Sequence, residues 1–149
     1  MKFKREAGGI VSCQKNLICV TNGEIASVEF PAETIMSLHK LSPGYIYTFS
    51  HVHPPNMPAL SNLDKNMFRT WCFLFYPFSL RMTTITLING RFVETCYLGI
   101  LESKMEWKRS GEKKRKFEII KEYETSEFPD DWYGWALIER SYEKEVNTI

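Results

Sequence analysis

Apolar and polar residues alternate in short bursts along most of this chain, a pattern that favours strands over long helices. Gly9–Cys13, Asn16–Thr21 and Ile25–Phe30 read as strands, and Asn22-Gly23 between the last two reads as a hairpin turn, because both residues tolerate positive φ. Pro31 closes the third strand. Ala32–Lys40, with Ile35, Met36 and Leu38, predicts a short helix or turn ending before Pro43-Gly44. Tyr45–Val52 is aromatic and β-branched, a buried strand by length and content. The period then changes. After the stiff loop Pro54-Pro55-Asn56-Met57-Pro58, Leu63, Met67, Phe68, Trp71, Leu74 and Phe75 keep helical spacing up to Pro77. Ser61-Asn62-Leu63-Asp64 supplies a helix start, with a hydroxyl to cap an orphan N–H and an acid in the first turn. Met82–Ile88 and Arg91–Leu98 flank a second hairpin signal, Asn89-Gly90, and a third lies at Ser110-Gly111. Trp132–Glu145 closes the chain as an aromatic helix. Strands interrupted by one or two helices make the class α+β or α/β.

The chain has 149 residues, enough for a single domain spanning 1–149, and 44% of them are apolar, so a packed core is expected and a disordered chain is excluded. Nineteen basic against eighteen acidic side chains leave no global field of the kind that marks a nucleic-acid or membrane-surface binder. No apolar run reaches a spanning length, and no signal-peptide core follows Met1-Lys2-Phe3-Lys4-Arg5, so a cytoplasmic protein is expected. The four cysteines Cys13, Cys19, Cys72 and Cys96 form no C-x-x-C pair and read as ordinary buried thiols.

Charge is uneven locally. The hairpin at about 104–117 carries seven basic and two acidic residues between Lys104 and Lys116, net +5, whereas Glu118–Glu145 carries nine acidic and three basic, net −6. A solvated hairpin facing a solvated helix at about 130–145 accounts for this most simply, and steering of an acidic partner is the functional alternative. Nucleic acid is disfavoured, because Trp107 is the only aromatic residue inside the basic run. Trp132, Tyr133, Trp135 and Tyr142 are expected to pack on the protein's own core.

The chemistry concentrates at His51-Val52-His53, followed after seven residues by Ser61 and after two more by Asp64. In a strand, positions i and i+2 share a face, so both imidazoles can converge on one ion. Two neutral imidazoles and a carboxylate form a donor set that suits Zn²⁺ and leaves a fourth tetrahedral place open. Alone, H-x-H on a strand is more often structural and S-x-x-D is usually only a helix cap. At average residue usage the four fixed positions coincide by accident in about one chain of this length in several thousand.

The string H-x-H-x(7)-S-x(2)-D resembles the JAMM motif of the JAB/MPN zinc metallopeptidase family, in particular its small prokaryotic or phage-type members. The family also has an upstream Glu in a pattern E-x-x-G, and Glu6-Ala7-Gly8-Gly9-Ile10-Val11 is similar to that segment. The resemblance extends from about Arg5 to Leu98. It implies an α/β, cytidine-deaminase-like fold, a mixed β-sheet flanked by helices. With five residues ahead of Glu6 in this sequence, the expectation is a domain without the family's first helix or with another segment, such as the C-terminal helix, covering that sheet face. It implies that His51, His53 and Asp64 hold Zn²⁺, that Glu6 moves the proton from the attacking water to the leaving amine, and that Ser61 hydrogen-bonds the developing oxyanion. Where the family has a second glycine this chain has Cys13, so Glu24, Glu29 and Glu33 stand as rival bases, Glu29 first. The implied activity is hydrolysis of amide or isopeptide bonds in a protein or peptide substrate, one class being ubiquitin-like conjugates. The alternative is a non-catalytic MPN-type interaction module within a larger complex.

Overall fold

A computed structural model describes residues 1–25, 28, 30, 33–34, 36–37, 47–77, 79–107 and 109–144. Its strands are β1 (Lys2–Phe3), β2 (Ala7–Val11), β3 (Leu17–Asn22), β4 (Thr48–Val52), β5 (Leu80–Ile88), β6 (Arg91–Trp107), β7 (Lys113–Thr125) and β8 (Tyr142–Glu143). The helices that carry the packing are α1 (Asn62–Phe75) and α2 (Gly134–Ser141). Six strands form one mixed sheet in the order β3-β2-β4-β5-β6-β7, in which β4 and β5 run parallel and every other pair is antiparallel. The parallel pair requires a crossover, and α1 provides it. The architecture is therefore mixed α/β.

The strand period of two divides the core between the two faces. On one face, Ile10, Phe49, Leu80 and Met82 pack against Phe68, Trp71, Cys72 and Phe75 of α1. On the other, Val52, Ile85 and Phe92 pack against Leu137 and Ile138 of α2. The C-terminal helix thus covers the sheet face opposite α1. Phe128 stacks on Trp132 with ring centroids 3.6 Å apart, and Tyr142 is buried between Phe3 and Phe92. Most of the aromatic cluster therefore belongs to the core. Trp135 stays 37% exposed.

Several sequence expectations need correction. Asn22-Gly23 is not a hairpin turn: neither residue takes a positive φ, and Gly23 N–H donates to the Glu6 carbonyl at 2.7 Å while Glu6 N–H donates to the Glu24 carbonyl at 2.8 Å. Pairing with the segment ahead of β2 overrides local turn propensity. The hairpin that forms joins β2 to β3 through residues 12–16, where Lys15 takes φ 62°. Ile25, Val28 and Phe30 form no strand, and the other residues expected with them (26, 27 and 29) lie outside the described residues, as does His39. Of the helix expected over Ala32–Lys40, Glu33, Thr34, Met36 and Ser37 are described and are helical. The C-terminal helix is shorter than Trp132–Glu145, because Tyr142–Glu143 leaves it to pair with β1. Asn89-Gly90 does make the β5–β6 turn, with φ of 51° and 76°, and Gly111 takes φ 78° between β6 and β7. All four cysteines are free thiols, of which Cys72 and Cys96 are buried, Cys19 is half-buried and Cys13 is exposed. No helix among the described residues is long and apolar enough to cross a membrane.

Gly99 of β6 sets how closely α1 lies on the sheet. A Cβ there would stand 2.7 Å from the Phe68 ring and 2.7 Å from Cys72 Sγ. Gly99→Ala must displace a rigid buried ring, and we expect it to destabilise the fold by about 1–3 kcal/mol, read as a lowered midpoint in urea unfolding.

Candidate metal centre

Each donor arrives by a separate structural device. β4 carries Phe49 into the α1-side core, and two residues on, His51 shares that face and is 1% exposed. His53 lies one residue past the strand, still held to the sheet by its N–H, which donates to the Ile85 carbonyl at 2.8 Å. The proline loop then turns the chain towards α1. Its carbonyls are clamped from below by side chains of β5 and β6. Thr86 Oγ1 donates to Pro54 O and Thr84 Oγ1 to Pro58 O, both at 2.6 Å, and Tyr97 donates to Pro58 O at 3.0 Å. Asn56 takes φ 62°, and its N–H donates to Leu87 O at 3.0 Å.

Asp64 comes from the start of α1, where Ser61 and Asp64 form a reciprocal capping box. Asp64 N–H donates to Ser61 Oγ at 3.1 Å, and Ser61 N–H donates to Asp64 Oδ2 at 2.9 Å. That same Oδ2 lies 3.0 Å from His53 Nε2 and 3.2 Å from His51 Nε2. One oxygen therefore both caps the helix and faces the two imidazoles.

Glu6 joins the two imidazoles from the segment ahead of β2. Its Oε1 lies 3.7 Å from His53 Nε2, and its side chain is buried. A solvated N-terminal charge it is not: Lys4 and Arg5 N–H both donate to the Ser141 carbonyl at the end of α2, at 2.7 and 3.2 Å. Together with the β1–β8 pairing, this ties the residues ahead of Glu6 to the C-terminal segment. Of the rival bases, Glu24 and Glu33 are exposed and Glu29 lies outside the described residues.

Glu6, His51 and His53 offer donor atoms all within 4.8 Å of one another and could hold a metal ion. Asp64 stands closer still to both imidazoles than Glu6 does to His53. The protonation pattern supports a cation as what these donors would hold. His53 Nδ1 lies 2.9 Å from the Met57 carbonyl, which can only accept, so Nδ1 carries the hydrogen and neutral His53 presents a lone pair at Nε2. That Nε2 is 2.6 Å from Nε2 of His51. Two imidazole nitrogens this close share either one hydrogen, donated by His51 Nε2 to the His53 lone pair, or one cation, and the Asp64 oxygen beside both favours positive charge there. Tetrahedral zinc with bonds of about 2.0–2.1 Å sets its ligand atoms roughly 3.3 Å apart; the 3.0 and 3.2 Å nitrogen–oxygen spacings come near that, and the 2.6 Å nitrogen–nitrogen spacing would have to open to reach it.

The ionisation of the group without metal follows from burial and mutual contact. Burial raises the Glu6 carboxyl to about 7; His53 opposes that shift and Asp64 adds to it. Burial also lowers His51, against its hydrogen bond to Asp64. For His53 burial pulls down, but the Asp64 hydrogen bond and charge prevail, and it is raised. Asp64 is pushed up by burial and pulled down further by both imidazoles and by Ser61 N–H, ending well below the usual carboxylate range.

Sequence reasoning had placed His51, His53, Ser61, Asp64 and Glu6, and the fold brings the four titratable ones together in its interior. Ser61 is exposed at the first turn of α1. What the sequence does not reveal is the clamp of Thr84, Thr86 and Tyr97 on the proline loop. Comparison with protein-family models, with curated proteins and with solved structures finds no match.

His51→Ala and Asp64→Ala are each expected to weaken binding of a divalent transition metal by more than about 100-fold, beyond the 10–100-fold typical of residues that only orient a ligand. Titration against a chromophoric chelator reads this. In the unaltered chain, free Zn²⁺ at 100 times its dissociation constant should add about 2.7 kcal/mol to stability, read as a raised unfolding midpoint.

Proposed function

We propose that this protein is a zinc-dependent hydrolase of amide or isopeptide bonds, a metallopeptidase of the JAMM type. The observation that carries the reading is the convergence of His51 Nε2, His53 Nε2 and Asp64 Oδ2 within 3.2 Å of one another, with Glu6 at their side. The order of donors along the chain and the H-x-H-x(7)-S-x(2)-D spacing support the same family.

In this reading His51, His53 and Asp64 hold the ion. Bound Zn²⁺ supplies Lewis acidity, which polarises a carbonyl and lets water ionise near neutral pH. The protein's own residues do the rest. Glu6 accepts a proton from the attacking water and returns it to the departing amine, and its burial among like and unlike charges gives it the affinity for a proton that this shuttle needs. Ser61 Oγ is already an acceptor for Asp64 N–H, so its hydroxyl hydrogen is free to donate to the carbonyl oxygen as negative charge develops there. The Met57 carbonyl keeps His53 in the tautomer that offers Nε2. A protein or peptide substrate, including a ubiquitin-like conjugate, would enter past the exposed Ser61.

The experiment is hydrolysis of a panel of peptide and ubiquitin-like isopeptide substrates by the zinc-loaded chain. Glu6→Gln should keep one zinc per chain and abolish turnover. Undiminished hydrolysis by that variant would contradict the role given to Glu6. Ser61→Ala should keep zinc and lower kcat by about 10²–10³-fold, with a stability cost of about 0.5–2 kcal/mol from the lost cap. If stability falls but kcat does not, Ser61 is a helix cap alone. Zinc-loaded protein that cleaves nothing in the panel would favour the interaction-module reading.

A further inference from the structure

β6 and β7 run on beyond an irregularity between Leu101 and Met105 as a two-stranded arm, pairing Met105 with Arg115, Glu106 with Lys114 and Trp107 with Lys113. Where the arm passes α1, a pocket of about 250 Å³ is lined by Arg69 of α1, by Lys114, Arg115 and Lys116 of β7, and by Glu106 and Trp107 of β6. The lining residues comprise four cations and one carboxylate, a formal 4 − 1 = +3.

The two lysines have carboxylate neighbours, Lys114 with Glu112 at 3.9 Å and Lys116 with Glu118 at 3.0 Å. The two arginines have none within 4.0 Å among the described residues. Aromatic rings hold them instead. The Arg115 guanidinium carbon lies 4.0 Å from the Tyr76 ring centre, and that of Arg69 lies 5.9 Å from the Phe73 ring centre. A guanidinium fixed on a ring has lost its freedom to swing away, so its N–H fork costs less to engage. Arg115 Nε is moreover buried with no hydrogen-bond acceptor among the described groups. A guanidinium donor without a partner is costly to bury, and Arg115 is among the residues that line the pocket.

We propose that this pocket is an oxyanion site for a phosphate group, free or carried as a monoester. The phosphate dianion matches the excess charge and offers three or more oxygens to two planar forks, which a single carboxylate does not. Trp107 is 69% exposed at the pocket, with Lys113 over its ring at 4.9 Å, and presents an aromatic surface to the organic part of an ester. The site is separate from the metal centre and does not depend on the peptidase reading.

Calorimetric titration of the full chain at low ionic strength with inorganic phosphate and with adenosine monophosphate tests this. Saturable binding with one site per chain is expected. Tighter binding of the nucleotide identifies a monoester as the ligand, and equal or weaker binding identifies the free anion. Both results support the site. Arg115→Gln and exposed Arg69→Gln should each weaken binding at least tenfold without changing zinc content. Lys121→Gln, at an exposed residue paired with Glu124 on the same strand, should leave it unchanged. His53→Ala should also leave it unchanged, which excludes phosphate held by zinc. The proposal is overturned if neither anion binds saturably, or if the arginine variants bind as well as the parent. It is equally overturned if Lys121→Gln costs as much as they do, or if only an extended single-stranded oligonucleotide binds, since either marks a diffuse field along the arm. A lowered unfolding temperature in Arg115→Gln with unchanged affinity would give Arg115 a structural role only.

Discussion

Two imidazole nitrogens facing each other across 2.6 Å in a nearly dry interior, with a carboxylate oxygen against both, is the constraint on which the rest of this protein turns. A carboxylate beside two imidazole nitrogens favours a proton or a cation among them, because burial removes the water that would otherwise screen its charge. Glu6 brings a second carboxylate to the same point. A shared cation would balance the two carboxylates, and the scaffold reads as a set of devices that keep the four groups from drifting apart. β4 aims the histidines, the threonine and tyrosine hydroxyls pin the proline loop, and the capping box fixes the carboxylate. The tie between the N-terminal residues and the end of α2 holds Glu6. A fold that spends three hydroxyl bonds on the carbonyls of one short loop is holding something that must not move.

How much of this was legible beforehand depends on the range of the interaction. His51 and His53 were readable because a strand's period of two puts them on one face. Ser61 and Asp64 were readable because a helix start has a local signature. Both are properties of a few consecutive residues. Glu6 was legible only through a family resemblance, since nothing near it in sequence reveals that the end of α2 holds the segment ahead of it. The same limit explains the errors. Asn22-Gly23 has the composition of a turn, yet pairing with Glu6, distant in sequence, decides its conformation. The final helix has the right periodicity past Ser141, but pairing with β1 draws Tyr142 and Glu143 into a strand. The clamp on the proline loop joins residues more than twenty positions apart and leaves no periodic trace.

The two faces of the sheet divide the labour. The face packed on α1 carries the candidate metal donors at the start of that helix, and Arg69, near its middle, lines the cationic pocket. The face packed on α2 is where Phe3 of β1 and Tyr142 of β8 join the core. Helix α1 thereby links a site for a cation and a site for an anion, about one helical turn and a half apart along its axis from Asp64 to Arg69. Its geometry relative to the sheet is set by close contact at Gly99, where no side chain intervenes.

The central claim is that His51, His53 and Asp64 bind one and the same ion. X-ray absorption at the zinc edge of the zinc-loaded protein tests it most directly. The account predicts a four-coordinate spectrum with two imidazoles and oxygen donors, in which the multiple-scattering signal of one imidazole is lost in His53→Ala. A spectrum with sulfur donors, with six oxygens and no imidazole, or with imidazole scattering untouched by that substitution would contradict it.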